Sequence, residues 1–232
     1  MSHKLNILSL NVRGLRNENK RRAIFSYLKN QKATIFCLQE TFSKPEDEKI
    51  WPAEWGGKMY FSHGSEHSKG VCILVNPKST YLLSIVESDT QGRYLIAKLL
   101  IEKTAFFLIN IYAPNNYREQ EQFIKMLSES IAAQTDVLKV IIAGDWNNSL
   151  KQTDKYGGTP WKETAYRNSI IDLMEELGLQ DIYRKLHPNT KSFTYETKNL
   201  KLKSRIDFFP CIKLDCIGSK KGGDSFLSGS GS

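Results

Sequence analysis

Leu138-Lys-Val-Ile-Ile-Ala-Gly-Asp-Trp-Asn147 is an apolar run that ends abruptly in polar side chains. From Leu138 to Ala143 it is short, apolar and β-branched, the pattern of a strand covered on both faces. Gly144 then hands over to Asp145 and Asn147, a carboxylate and an amide two residues apart after the strand. Layered α/β architectures put their binding and reacting groups at strand ends, beside the loops. The stretch therefore speaks to fold and chemistry together.

The same arrangement recurs outward in both directions. Leu5, Ile7, Leu8 and Leu10 lead into Asn11, Thr34 to Leu38 into Gln39-Glu40, and Ala105 onward into Tyr112; Arg205 to Phe209, the last expected strand, carries Asp207. Further strands are expected at Lys58 to Ser62, Val71 to Val75, Tyr81 to Val86 and Tyr94 to Ile101, with turn residues such as Asn76-Pro77 and Gly92 between them. A helix opening at Asn17 as N-cap places Ala23, Ile24, Tyr27 and Leu28 on one face and turns Lys20, Arg21 and Arg22 to solvent. A second helix is read from Phe123, Met126, Leu127 and Ile131, and a third from Ile170, Leu173, Met174 and Leu177, stopped by Gly178. Helices and strands interleave too finely for two domains, so one layered α/β domain over residues 1–217 is expected.

With 40% hydrophobic and 25% charged residues in a chain of 232, the composition is that of a globular domain with a sizeable core. No apolar run approaches the roughly 18–20 residues of a membrane span, and Met1 to Leu10 suits a first strand better than a secretory signal. No membrane partner is expected. Cys37 and Cys72 lie in strand-like runs as buried thiols; Cys211 and Cys216 have no zinc-type spacing around them, so a reducing, intracellular compartment is favoured. The formal charge of +8, from 33 Lys and Arg against 25 Asp and Glu, points to a polyanionic partner. Lys20-Arg21-Arg22 and the set Lys198, Lys201, Lys203 and Arg205 are its densest clusters, and either is equally readable as a solvated face. From Gly218 to Ser232, ten of fifteen residues are Gly or Ser, the composition of a flexible tail.

The strand-end residues form a chemical set. Glu40 and Asp145 are hard oxygen donors suited to Mg²⁺, which takes one or two carboxylates and fills the rest with water and phosphate. A carboxylate can position or deprotonate water, and an amide NH₂ or a phenol such as Tyr112 can donate to a phosphoryl oxygen. Each has a plainer alternative: an acid after a strand is often a turn former, a buried Tyr is often core, and Asn11 before Gly14 is compatible with turn chemistry alone.

Taken in order, Leu-Ser-Leu-Asn11-Val-Arg-Gly, Leu-Gln-Glu40-Thr, Asn-Ile-Tyr112-Ala-Pro, Gly-Asp145-Trp-Asn147 and Ser-Arg-Ile-Asp207-Phe resemble the endonuclease/exonuclease/phosphatase superfamily. Asp181 to Pro188 and Ser192 to Tyr195 look most like the apurinic-type endonuclease domain of non-LTR (long interspersed element) retrotransposons. The resemblance implies a four-layer sandwich, two packed β-sheets flanked by helices. It also implies Mg²⁺-dependent (or Mn²⁺-dependent) nicking of one strand of double-stranded DNA, leaving a 3′-hydroxyl that primes reverse transcription. By the same likeness Glu40 is the principal metal ligand with Asn11 beside it, and Tyr112 contacts the scissile phosphate. Asp145 handles the attacking water or leaving group, Asn147 orients it, Thr194 and Arg205 lie near DNA, and Asp207 orients a catalytic histidine. A nuclear location and a downstream reverse transcriptase in a parent polyprotein would accompany such a role.

One feature departs from that pattern. The family closes with a Ser-Asp-His motif, whereas no histidine follows Asp207; the four present are His3, His63, His67 and His187. The expectation is a sandwich lacking its last one or two strands, incomplete at its C-terminus, and an impaired catalyst. Recruitment of His63 or His67 is the less favoured alternative. A repair-type apurinic endonuclease or exonuclease, and a catalytically dead DNA-binding remnant, are the competing functions; a lipid phosphatase on the same scaffold is disfavoured by the subfamily motifs.

Overall fold

In the computed structural model, residues 5–101, 103–134, 139–158, 160–198 and 201–212 are described. The expectations for Leu138, for Cys216 and for the 218–232 tail lie outside those residues.

The sequence runs that alternate apolar with β-branched residues form two main sheets. The first contains β1 (Ile7–Asn11), β2 (Ile35–Gln39), β3 (Met59–Ser62) and β4 (Val71–Val75) in the order β1-β2-β4-β3. The second contains β5 (Leu83–Ser88), β6 (Tyr94–Ile101), β7 (Thr104–Tyr112), β8 (Val140–Asp145), β10 (Leu179–Asp181), β13 (Asp207–Phe208) and β14 (Pro210–Ile212). Its order is β10-β14-β8-β7-β6-β5, with β13 also paired to β8. Between them in the chain, β9 (Lys155–Tyr156), β11 (Tyr195–Glu196) and β12 (Lys203–Ser204) build a small third sheet that the hydrophobic pattern does not announce.

Three apolar layers hold the two main sheets between helices. Ile35, Cys37, Val71 and Ile73 from the first sheet meet Leu95, Ala97, Leu108, Ile141 and Ala143 from the second. On the outer face of the first sheet, Phe36, Leu38 and Leu74 pack against α1 (Glu18–Lys29) and α2 (Trp51–Trp55). On the outer face of the second, Ile109, Ile111 and Ile142 pack against α3 (Tyr117–Ala132) and α4 (Ala165–Glu176). The result is helix, sheet, sheet, helix, as the resemblance implies.

The faces of α1 differ from the sequence reading. Arg21, Phe25 and Leu28 are its buried residues, while Ala23 and Tyr27 face solvent. Arg21 is drawn inward because α2 supplies Glu54, which accepts from Arg21 Nε at 2.6 Å and Nη2 at 2.8 Å, and because Trp51 lies under the guanidinium. Trp55 of the same short helix wedges edge-on between Phe25 and Phe36 and donates its indole N–H to Val75 O. Met126 is exposed although it belongs to the apolar set of the second helix. The edge strand β5 starts two residues later than expected, and of the segment read as one strand from Arg205 to Phe209 only Asp207–Phe208 forms a strand, β13, with β14 beginning beyond it at Pro210.

Candidate active site

Parallel pairing of β1 with β2 and of β7 with β8 brings the carboxyl ends of four strands to one rim. Asn11 lies opposite Gln39 in the first pair, and Tyr112 opposite Asp145 in the second. The antiparallel β13 sets Asp207 opposite Asp145 from the other side. Across the gap between the sheets, one amide group closes the circle. Asn11 Nδ2 donates to Glu40 Oε1 at 2.8 Å and to Asp145 Oδ2 at 3.1 Å. Residues distant in the chain thus share one pocket at the sandwich edge.

The backbone around this rim is held in unusual conformations. Glu40 (φ +53°) and Asn147 (φ +48°) adopt the left-handed region, where a residue with a side chain costs about 1–3 kcal/mol unless its surroundings impose it. The imposing contacts are visible. Gly14 N donates to Glu40 O at 2.6 Å, and Thr41 N to Gly70 O at 3.0 Å. Asn147 N donates to Asp145 Oδ1 at 2.9 Å, and Asn147 Nδ2 to Ala113 O at 2.7 Å. Gly144 is required by close approach as well as by its φ of +142°: a Cβ there would meet Ile111 O at 2.0 Å.

Beneath Glu40 lies a buried polar bridge that the sequence reading missed. Gln39 Nε2 donates to Asn110 Oδ1 at 2.7 Å, and Asn110 Nδ2 donates to Leu38 O at 3.0 Å and Cys72 O at 2.9 Å. Because both of the amide's donor contacts are carbonyls, the orientation of Asn110 is fixed, and with it that of Gln39. The bridge joins β7 of one sheet to β2 and β4 of the other, directly under the rim. A polar residue at or near the end of each apolar run, Gln39 in β2 and Asn110 in β7, was the available signal.

Electrostatics mark the rim as a cluster of acids. Burial pushes the Asp145 carboxyl up to about 6, and Glu40 adds to the rise; the Asn147 N–H, the Asn11 amide and the charge of Arg13 oppose it. Asp207 is pushed up to about 8, first by burial and then by Asp145, against the Thr194 hydroxyl and Arg13. The facing pair titrates together. Burial and the neighbouring Glu40 likewise hold the Tyr112 phenol in its protonated form, with Arg93 stacked over its ring opposing them. Two carboxylates from opposite sheets, Glu40 half-buried and Asp145 buried, both bonded to the Asn11 amide, fit a hard divalent cation such as Mg²⁺. Among the described residues no group of three or more His, Cys, Asp or Glu forms a closed cage, and so sparse a donor set suits an ion shared with water and substrate.

Asn11, Glu40, Tyr112, Asp145, Asn147 and Asp207 are therefore together. Thr194 joins them indirectly: its Oγ1 accepts from the backbone N–H of Ile206 and Asp207, both at 3.1 Å. Arg205 is a correction to the expectation of a DNA contact. It is 1% exposed and spends its guanidinium on Asp154 (Nε–Oδ1 2.8 Å) and Asp181, in a buried cluster that Arg184 completes. His63 is engaged by Ser43 Oγ at 3.1 Å and Glu48 Oε1 at 3.0 Å and stacks on Phe61; His187 packs on Tyr183. Neither bonds Asp207.

The sequence profile of the Endonuclease/Exonuclease/phosphatase family matches residues 6–211. The transposon TX1 149 kDa protein of Xenopus laevis is 30% identical over 191 residues, an overlap of 82% of this chain and 14% of that protein. An exodeoxyribonuclease of Bacillus subtilis is 23% identical over 225 residues, covering 88% of this chain and 87% of that one. Among solved structures, the AP endonuclease LMAP of Leishmania major superposes with a TM-score of 0.71 at 18% identity, covering 89% of this chain and 78% of that one, a likeness of fold.

Proposed function

The chain belongs to the Endonuclease/Exonuclease/phosphatase family, and from that premise we propose that it hydrolyses a phosphodiester bond in one strand of double-stranded DNA, making the 3′-hydroxyl that primes retrotransposition. The observation that carries this reading is the Asn11 amide bridging Glu40 of one sheet and Asp145 of the other. Likeness over most of the chain to a transposon protein favours retrotransposition over repair as the setting, with a reverse transcriptase elsewhere in a longer parent.

Glu40 and Asn11 would hold Mg²⁺ or Mn²⁺, which supplies charge neutralisation at the phosphate oxygens when bound. Asp145 is placed to accept a proton from water, because burial has raised its basicity while two amides fix its orientation. One N–H of the Asn147 amide is committed to Ala113 O; the other remains for a phosphoryl oxygen. The protonated Tyr112 phenol is a second donor. Residues 208–232 hold no histidine, so that stretch offers Asp207 no imidazole to orient. Loss of a positioned acid or base costs about 10²–10⁴-fold in rate. The 232 residues by themselves are accordingly proposed to be a slow catalyst.

Nicking of supercoiled plasmid tests this. The expected result is weak, EDTA-sensitive conversion to open circle that Glu40→Ala abolishes. Fast turnover would refute the impairment, and a gel shift without cutting under any metal would identify a DNA-binding remnant instead. Preference for an abasic duplex over an intact one would move the reading to apurinic repair.

A further inference from the structure

We propose that Arg13 is a substrate-contacting residue of this site, its guanidinium binding a non-bridging oxygen of the phosphodiester held between Glu40 and Asp145. The inference rests on the phosphodiesterase reading and deepens it. Nothing in the strand-end pattern singles out Arg13; the geometry does.

The backbone comes first. Arg13 has φ +48°, a region that Gly or Asn enters at lower cost than Arg. The conformation is imposed from the site itself. Arg13 N donates to Asn11 Oδ1 at 3.1 Å, its carbonyl accepts from Lys20 Nζ at 2.6 Å, and the next residue's N–H is bonded to Glu40 O. A strained residue is thus tied through its backbone to both Asn11 and Glu40. Strain retained beside a candidate site is a ground for a functional hypothesis.

The state of the side chain is the second observation. The other eight arginines of the chain are all engaged. Arg16, Arg21, Arg22, Arg93, Arg184 and Arg205 pair with carboxylates. Arg118 donates to Tyr117, and Arg167 stacks on Trp161 and donates to Ser149 O. The exposed Arg13 guanidinium alone has no hydrogen-bond or ion-pair partner among the described residues. Its charge nevertheless acts on both Asp145 and Asp207. Its charge reaches the acids yet it is bonded to neither, which leaves its donors free for a phosphoryl group.

The chemistry uses such a cation. Water adds its oxygen to phosphorus and yields one proton to Asp145. The phosphorus–O3′ bond breaks, O3′ takes up a proton from solvent water to become the hydroxyl, and the phosphate stays on the 5′ side. Negative charge grows on the non-bridging oxygens as this proceeds, and a guanidinium donates to them in a planar fork.

Two variants separate this role from a structural one. Arg13→Gly removes the cation and relieves the strained φ, so the folded protein should be at least as stable; Arg13→Lys keeps the charge. Mn²⁺ bound to the full chain should broaden the ³¹P resonance of inorganic phosphate in the wild type and in Arg13→Lys. Arg13→Gly should retain Mn²⁺ and weaken phosphate binding by on the order of tenfold, the value of one charge-assisted bond. Equal broadening in Arg13→Gly, or none in a wild type that holds Mn²⁺, overturns the role of Arg13 alone. A wild type that binds no Mn²⁺ overturns the reading of the site, and this inference with it.

Discussion

Asn110→Leu should loosen the two sheets where they meet under the rim, and its cost can be worked from the contacts. The substitution deletes the bonds from Asn110 Nδ2 to Leu38 O and Cys72 O and the bond received from Gln39 Nε2. A buried hydrogen bond contributes about 1 kcal/mol net, so three give about 3 kcal/mol. Gln39 keeps Ser9 Oγ at 3.0 Å and Cys37 O at 3.1 Å for its amide protons, so it adds little further penalty. Urea unfolding of the metal-free chain should therefore show a loss of about 3 kcal/mol with an unchanged slope. Adding Gln39→Met should be less than additive by about 1 kcal/mol, the worth of the shared bond. Because Gln39 is followed by the left-handed Glu40, metal affinity should fall in all three variants, including the double one. A loss below about 1 kcal/mol for Asn110→Leu, or strict additivity, would refute the claim that this bridge holds the sheets in register.

Gly144→Ala forces a Cβ against Ile111 O and should cost more than about 4 kcal/mol, read as failure to accumulate folded protein or as a collapsed Tm; near-wild-type stability would contradict the close approach at the β7–β8 ladder. Asp154→Asn strands the buried guanidinium groups of Arg184 and Arg205 and should destabilise by about 3–5 kcal/mol in urea, with DNA binding unchanged per folded molecule. For Asp207 the folded carboxyl is raised to about 8 from 3.8, so its contribution is fully present below pH 3.8 and is lost as pH climbs towards 8. Thermal melts of the metal-free chain between pH 5 and pH 8 should show that loss, and Asp207→Asn should flatten it; an unchanged slope would contradict the clustered acids.

Much of the site is legible in the sequence because Asn11, Glu40, Tyr112, Asp145 and Asp207 each interrupt an apolar, strand-forming run near its end. That signal is local and survives reading one strand at a time. The layered fold follows from the same alternation of strand and helix periods. What escaped depends on partners far along the chain. Arg21 reads as a solvated charge until Glu54, thirty-three residues on, is brought beside it by a five-residue helix too short to show a period. Arg205 reads as part of a basic cluster until Asp154 and Asp181 close round it. The Gln39–Asn110 bridge links positions seventy-one residues apart, and the third sheet is made of two-residue strands whose pairing leaves no hydrophobic pattern. Arg13 lies inside a motif that the sequence displays, but its strained φ is a property of coordinates alone.

Isothermal titration of the metal-free chain with Mn²⁺ tests the central claim most directly, namely that Glu40, with Asn11 beside it, holds one divalent ion at the rim facing Asp145. A single site per chain is expected, weakened at least tenfold (about 1.4 kcal/mol) by Glu40→Gln. Wild-type affinity in Glu40→Gln would contradict it.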